Sequence, residues 1–391
     1  MTPIHRSRTA WQVAAPLLAA TLAACSDAPT GAKPPTAEDP FRARVVAMGF
    51  RPDMIVDRGD YFDVEGDIRI SKSSLRGAAR VPSGPGGIPV PRFQYTTNAL
   101  VTSAKVQTIV VDLSGLAADT VWQRAAREAL THWSTVPDSY VRMVEGSPAD
   151  IKVIFDYLPA GVIGKGDFPA NGVPGDTVWI DRFQWPNGQP LPYAARLRNM
   201  VHELGHNIGF RHTNWNQVDC SGGCSNNGGT VGANRVSGTP TSGGDANSVM
   251  NGATATQTWI GFSAYDQLAA ARVYPLPGPT GVVLTHPSGT VYLSWNSTFG
   301  ATHYQVQRVE IYHDEDSYVG SSQVVTYEGG WTDVYDTHVD TGSTWTGSSL
   351  CWWYQSSYSQ QYSEYYWSVR AVFPNGYGAT QYSVSAEDGP C

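Results

Sequence analysis

Apolar residues recur along this chain with two different periods, and the change of period divides it. Between residues 120 and 133, Trp122, Ala125, Ala126, Ala129 and Trp133 fall at helical spacing. Leu197, Val201, Leu204 and Ile208, spaced four, three and four, form a second helical stripe. A third helix is predicted from Ser263 to about Val273. Val106 to Leu113, Ile151 to Phe155 and Thr177 to Ile180 are short apolar runs that predict strands, the last preceded by a Gly/Pro-rich loop from Gly161 to Gly175. Beyond a proline-rich hinge, Pro275 to Pro279, the period drops to two: Val291, Leu293, Trp295, then Tyr304, Val306, Arg308, then Tyr365, Trp367, Val369, Ala371. The pattern predicts a mixed α/β domain over 93–275 and an all-β, immunoglobulin-like sandwich over 276–391. A sandwich with its own core is expected to be separable, so that removing 276–391 leaves the first domain working.

The N-terminus reads as a targeting segment. Arg6 and Arg8 precede an apolar run, Ala14 to Ala24, too short to span a membrane comfortably. Leu22-Ala23-Ala24-Cys25 resembles a bacterial lipobox, which makes 1–24 a lipoprotein signal peptide and Cys25 the lipidated residue. A plain secretory site with Cys25 incidental is the alternative, and both readings export the chain. Residues 25–40, with prolines and small residues, read as a tether. Residues 41–92 comprise a short segment and a Gly/Pro/Arg-rich linker, Arg76 to Arg92.

With 391 residues, 41% of them hydrophobic, the chain is long enough for two or three domains with real cores. A net charge of −8 without a long basic run argues against nucleic acid as a partner. Besides Cys25, Cys220, Cys224, Cys351 and Cys391 make an even set, which in an exported chain favours disulfides: Cys220 with Cys224, and Cys351 with Cys391. His313-Asp314-Glu315-Asp316 reads as a solvated hairpin loop in preference to a calcium site.

The chemistry concentrates in residues 202–212, His-Glu-Leu-Gly-His-Asn-Ile-Gly-Phe-Arg-His, which hold three of the nine histidines. Positions four apart share a helix face, so His202 and His206 can address one ion. Gly209 can take the positive φ that ends a helix, and the turn returns His212 as a third ligand. Three imidazoles on zinc leave a fourth position for water, and Glu203 is placed to act on it as general base.

This window resembles the metzincin clan of zinc peptidases, within it the astacin-like enzymes, and more narrowly the bacterial dual-action HEIGH metallopeptidases. The resemblance implies an α/β (α+β) metzincin-like catalytic domain, one zinc ion, and hydrolysis of protein or peptide substrates. It makes Met250, in Ser248-Val249-Met250-Asn251, the methionine of the turn beneath the metal. Astacins place His-Tyr after that methionine, whereas Asn251-Gly252 follows here, which leaves Tyr265 or a more distant tyrosine to stabilise the oxyanion. Thr177 to Ile180 would be the sheet-edge strand to which substrate adds antiparallel. Val64 to Ile68 is similar to an astacin propeptide segment in which an aspartate occupies the open metal position, which makes Asp67 a latency ligand. Alternatively Gly66-Asp67 is only a turn between two short strands. The Tyr-x-Trp-x-Val-x-Ala pattern at 365–371 is similar to fibronectin type III modules. The expected function is a secreted or surface-anchored zinc endopeptidase. The alternative is a surface-binding lipoprotein whose sandwich carries the function over a latent peptidase domain.

Overall fold

The computed structural model describes residues 39–50, 52–76, 94–97, 99–182, 190–214, 234–239, 245–252, 254, 256–285, 290–316, 321–344, 352–355 and 359–382. Residues 1–38, with the signal peptide, Cys25 and most of the tether, lie outside the described residues, as do linker residues 77–93 and Cys220, Cys224, Cys351 and Cys391.

The N-terminal segment begins with helix α1 (Pro40–Ala47) and continues through strands β1 (Val56–Asp57), β2 (Tyr61–Val64) and β3 (Ile68–Ser71). After the linker come β4 (Tyr95–Thr96), α2 (Ser103–Val106), β5 (Ile109–Asp112), α3 (Thr120–Ser134), β6 (Met143–Glu145), β7 (Ile151–Asp156), β8 (Gly164–Asp167) and β9 (Thr177–Asp181). Helix α4 (Tyr193–Asn207), short strands β10 (Phe210–Arg211) and β11 (Asn234–Arg235), and α5 (Ala264–Val273) complete the first domain. Its eight-stranded sheet runs β1-β2-β3-β8-β9-β7-β5-β6.

This order corrects one expectation. Strand β9 is interior, between β7 (parallel) and β8 (antiparallel). The strand outside it is β8, from the stretch read as a Gly/Pro-rich loop. Its sequence, Gly-Lys-Gly-Asp, has no apolar residue, so no hydrophobic period announces it. The outer edge of β8 is in turn occupied by β3, which pairs with it in parallel through Ile68↔Gly166 and Arg69↔Asp167.

The helices follow their patterns. Asp119 caps α3, accepting from Val121 N at 2.9 Å and Trp122 N at 3.2 Å, a contact worth about 1 kcal/mol. The predicted stripe of α3 is buried. It packs on α4, where Trp133 Nε1 donates to Val201 O at 2.9 Å. The segment at 39–76 has a small core of its own (Val45, Met48, Phe50, Ile55, Phe62, Val64, Ile68, Ile70, Leu75), completed by Phe168 of the first domain. A piece this short cannot bury enough surface alone, so its order depends on docking.

The C-terminal region is antiparallel β. Strands β12 (Thr280–Thr285), β13 (Thr290–Asn296) and β17 (His338–Thr344) form one sheet. The other is built on β15 (Ser321–Glu328), β14 (His303–Asp316), β19 (Ser359–Phe373) and β18 (Trp352–Gln355), joined by β16 (Thr332–Val334), β20 (Gly376–Tyr377) and β21 (Gln381–Tyr382). His313 to Asp316, expected in a loop, end strand β14 and pair with Ser321 to Val324.

Separability is not what the packing provides. The buried side chains of the sandwich, including Leu293, Trp295, Trp367 and Phe373, are continuous with the core of the first domain. Tyr140 Oη donates to Phe299 O at 2.7 Å, and its ring meets Phe373 edge-on at 5.8 Å. Asn375 Nδ2 donates to Val136 O and Ser139 O at 2.7 and 2.8 Å. Ending the chain at Leu276 removes these partners. Exposing apolar surface that they covered, the Tyr140 ring included, costs about 1.5–3 kcal/mol, which lowers the melting temperature of what remains by roughly 3–12 °C. An unchanged thermal midpoint for the first domain, measured with and without 277–391, would show that the shared core contributes nothing.

Candidate active site

Helix α4 carries the first two imidazoles on a rigid base. His202 Nδ1 donates to Val249 O at 2.7 Å and His206 Nδ1 donates to Phe210 O at 2.8 Å. Each carbonyl can only accept, so both rings present an unprotonated Nε2 to the same point. The helix ends at Ile208, and Gly209 takes φ +101°, which turns the chain back. A side chain at 209 would also lie 2.9 Å from Leu100 Cδ2. Tyr274 Oη donates to Ile208 O, holding the turn, and short strand β10 delivers His212. The Nε2 of His202 is then 3.1 Å from that of His206 and 3.2 Å from that of His212.

Glu203 points toward β8. The glycines of that strand make room: a Cβ at Gly164 would lie 2.6 Å from Glu203 Oε1, and one at Gly166 2.8 Å from His206 Cβ. Glu203 Oε2 is buried with no hydrogen-bond partner among the described residues. Burial, and then the nearby Asp67 carboxylate, push the Glu203 carboxyl well above the usual range, against the pull of Lys165 and Arg198.

Met250 lies under the site against α4, its Sδ 2.5 Å from where a Cβ on Gly205 would stand. Two buried residues that the sequence reading passed over fix its turn. Arg198 Nη2 donates to Ser248 O at 3.2 Å and to Val249 O at 3.1 Å. Asp266 accepts from Ser248 Oγ at 2.6 Å and Val249 N at 2.9 Å while closing the capping box of α5 with Ser263. The Ser263-x-x-Asp266 spacing was a legible signal for the cap, though not for its contact with the methionine turn. Tyr265 stands exposed on the first turn of α5.

Asp67 closes the site from the N-terminal segment. It follows the β2–β3 turn, where Glu65 and Gly66 take φ +50° and +84°, so Gly66-Asp67 is a turn between two short strands and a contact with the histidines as well. Its carboxylate oxygens lie 3.0 and 3.1 Å from His212 Nε2, 3.4 Å from His202 Nε2 and 3.6 Å from His206 Nε2. Burial alone would raise this carboxyl, but the three imidazoles outweigh it and hold Asp67 well below the usual range.

The donor set fits a metal ion. Asp67, His202, His206 and His212 each offer one atom, all within 4.8 Å of one another. Tetrahedral bonds of about 2.0–2.1 Å imply ligand separations near ~3.3 Å, close to the Nε2 spacings above. Converging imidazole lone pairs repel unless a cation lies between them. Burial pushes the His202 imidazole down to about 4 and lowers that of His206, so both stay neutral, as ligands must. His212→Ala is expected to lower metal affinity by more than the roughly 10–100-fold of a lost outer-shell contact. Competition against a chromophoric chelator measures it, and undiminished affinity would place the third ligand elsewhere.

A buried helix with two imidazoles and a glutamate, a turn returning a third imidazole, and a methionine underneath define the centre of a metal-dependent peptidase. The model of the dual-action HEIGH metallo-peptidase family matches residues 63–274, just over half of the chain. The chain belongs to that family. Among solved structures it is similar to myroilysin, at 18% identity over 51% of this chain and 98% of that chain, with a TM-score of 0.31. A fibronectin-III-like protein from Clostridium thermocellum matches at 21% identity over 29% of this chain and 99% of its own, with a TM-score of 0.15. The fibronectin type III domain of human collagen XX matches at 22% identity over 28% and 92%, with a TM-score of 0.12. A search among curated proteins returns no match.

Proposed function

We propose that the chain is an exported zinc endopeptidase held latent by its own residues 39–76. One observation carries the reading: Asp67 stands at the fourth position of the histidine cluster while β3 covers the edge of β8 beside it. Three imidazole nitrogens and a carboxylate oxygen are a donor set that suits zinc. Zinc bound there supplies Lewis-acid polarisation of the scissile carbonyl and acidifies an attacking water.

The chain's own residues do the rest. Glu203 takes the proton from the attacking water and hands it to the leaving amine. His202, His206 and His212 hold the ion without titrating. The edge of β8 binds the peptide main chain as an added strand once β3 has left. In the latent chain Gly166 N is spent on Asp67 O at 3.0 Å. Because β3 runs parallel to β8, it presents its backbone in the opposite sense to an antiparallel substrate, and so occupies the edge without being positioned for cleavage. Leu22-Ala23-Ala24-Cys25 supports export and a lipid anchor at Cys25, which tethers the enzyme to the bacterial cell envelope.

The test compares the intact chain with one nicked between residues 77 and 93. Both are assayed on casein with and without chelator, with metal identified by mass spectrometry. The nicked form is expected to digest casein, to stop on chelation and to recover with zinc. Casein left uncut by a zinc-loaded, nicked chain overturns the reading.

A further inference from the structure

Of the ten buried side chains that form the small N-terminal core, nine come from residues 39–76 and one, Phe168, from the first domain. Phe168 is fully buried there, and the partly buried Ala99 is the first domain's other contribution among the described residues. Phe50 of the segment meets the Phe168 ring edge-on, with centroids 5.5 Å apart. The Phe50 ring also lies 4.5 Å from the guanidinium of Arg211, the residue before His212.

The place of Phe168 along β8 puts it in the cleft. Side chains alternate between the two faces of a strand. Cβ atoms at Gly164 and Gly166 would meet Glu203 and His206, so positions of that parity face α4 and the imidazoles. Phe168 is the next residue of the same parity, just past the end of β8 and roughly 7 Å beyond Gly166. Ile68, which stands across from Gly166 in the docked chain, belongs to the same core.

When residues 39–76 leave, Phe168 loses the apolar side chains packed around it, at one end of the edge that then receives substrate. An uncovered phenylalanine ring is best covered again by an apolar side chain, and an aromatic one restores the ring pair that Phe50 made. The sense of the strand fixes which substrate residue this is. A peptide antiparallel to β8 runs from the Phe168 end toward the Gly164 end. Its residues nearest Phe168 therefore precede the scissile bond, which lies by Glu203 and the imidazoles.

We propose that Phe168 is a specificity-determining residue: it lines an apolar subsite on the N-terminal side of the scissile bond and selects peptides with an aromatic or large aliphatic residue there. In the latent chain Phe50 and Ile68 fill that space. The inference rests on the reading that residues 39–76 vacate the cleft and that substrate adds to β8.

The experiment uses the full chain, nicked between 77 and 93 and loaded with zinc, acting on a pool of synthetic peptides with randomised positions, the products being sequenced. Aromatic residues, leucine and methionine are expected to be enriched at one position within about three residues before the cut. A defined peptide with phenylalanine at that position should be cleaved with kcat/KM about tenfold or more above its alanine counterpart, the scale of filling an apolar pocket. Phe168→Ala should narrow that ratio. Phe168→Leu keeps an apolar side chain in the core but removes the ring pair, so it should lower the phenylalanine peptide relative to a leucine peptide by about 2–10-fold. Zinc content and thermal midpoint are measured for both variants, and Phe168→Leu with the wild-type pool decides the matter where Phe168→Ala fails to fold. Cleavage with no apolar enrichment before the cut, or preferences that neither folded variant changes, overturns the proposal and leaves the peptidase reading standing. A pool left uncut by the zinc-loaded, nicked chain overturns the peptidase reading and this inference with it.

Discussion

Glu203→Gln is expected to cut peptidase activity of the nicked chain by about 10²–10⁴-fold, the range for a lost general acid–base group, while about one metal ion per chain stays bound. The separation follows from where the side chains point. His202, His206 and His212 converge on one position, whereas the Glu203 carboxyl is turned toward Gly164 on β8. Glutamine keeps the shape that fits against those glycines, so the fold and the ligand geometry persist. What is lost is a carboxylate that can accept a proton and give it back. Metal content by mass spectrometry and turnover of a fluorogenic peptide, measured on the same preparation, test both halves. Substantial residual turnover would assign the base to another residue.

In the intact chain, Asp67→Ala should raise activity. A lost charge-assisted contact is worth about 1.5–3 kcal/mol, so the open form gains roughly 10–100-fold in population, and activity rises with it while that form remains the minority. Nicking should raise it further, because Asp67 is only one of the anchors. Strand β3 still pairs with β8, Asp63 still holds Lys165, and Glu65 still holds Arg211. The order intact wild type, intact Asp67→Ala, nicked wild type is therefore expected on a short fluorogenic peptide. Equal activity of the two intact chains would leave residues 39–76 a structural N-terminal piece.

Much of this molecule was legible because its signals are local. The four-residue spacing of His202 and His206 and the helical stripe Leu197, Val201, Leu204 and Ile208 depend only on the pitch of one helix, and all lie buried on or just beyond α4. Gly209 marked the turn because φ +101° is open to glycine and strained for other residues. Period-two runs announced strands β13, β14 and β19 for the same reason: a pleated strand alternates its own side chains whatever lies across from it.

Tertiary structure alone decided the rest. Strand β8 has no apolar residue, and it is a strand because it pairs with β9, a partner that no local period announces. Its glycines are explained only by Glu203 and His206, about 40 residues away along the chain, which approach too closely for a Cβ. The matching of Asp63 with Lys165 and Glu65 with Arg211 spans more than 100 residues, and no spacing rule pairs a carboxylate with a cation at that separation. The continuity of the core across Pro275 to Pro279 was hidden because alternation shows that a strand buries one face, without showing whether its domain must bury more against a neighbour. Sequence by itself therefore determined which residues could hold the metal and act on a water. Only the folded chain decided what covers them, because a covering contact is a property of two distant segments and local periodicity describes one.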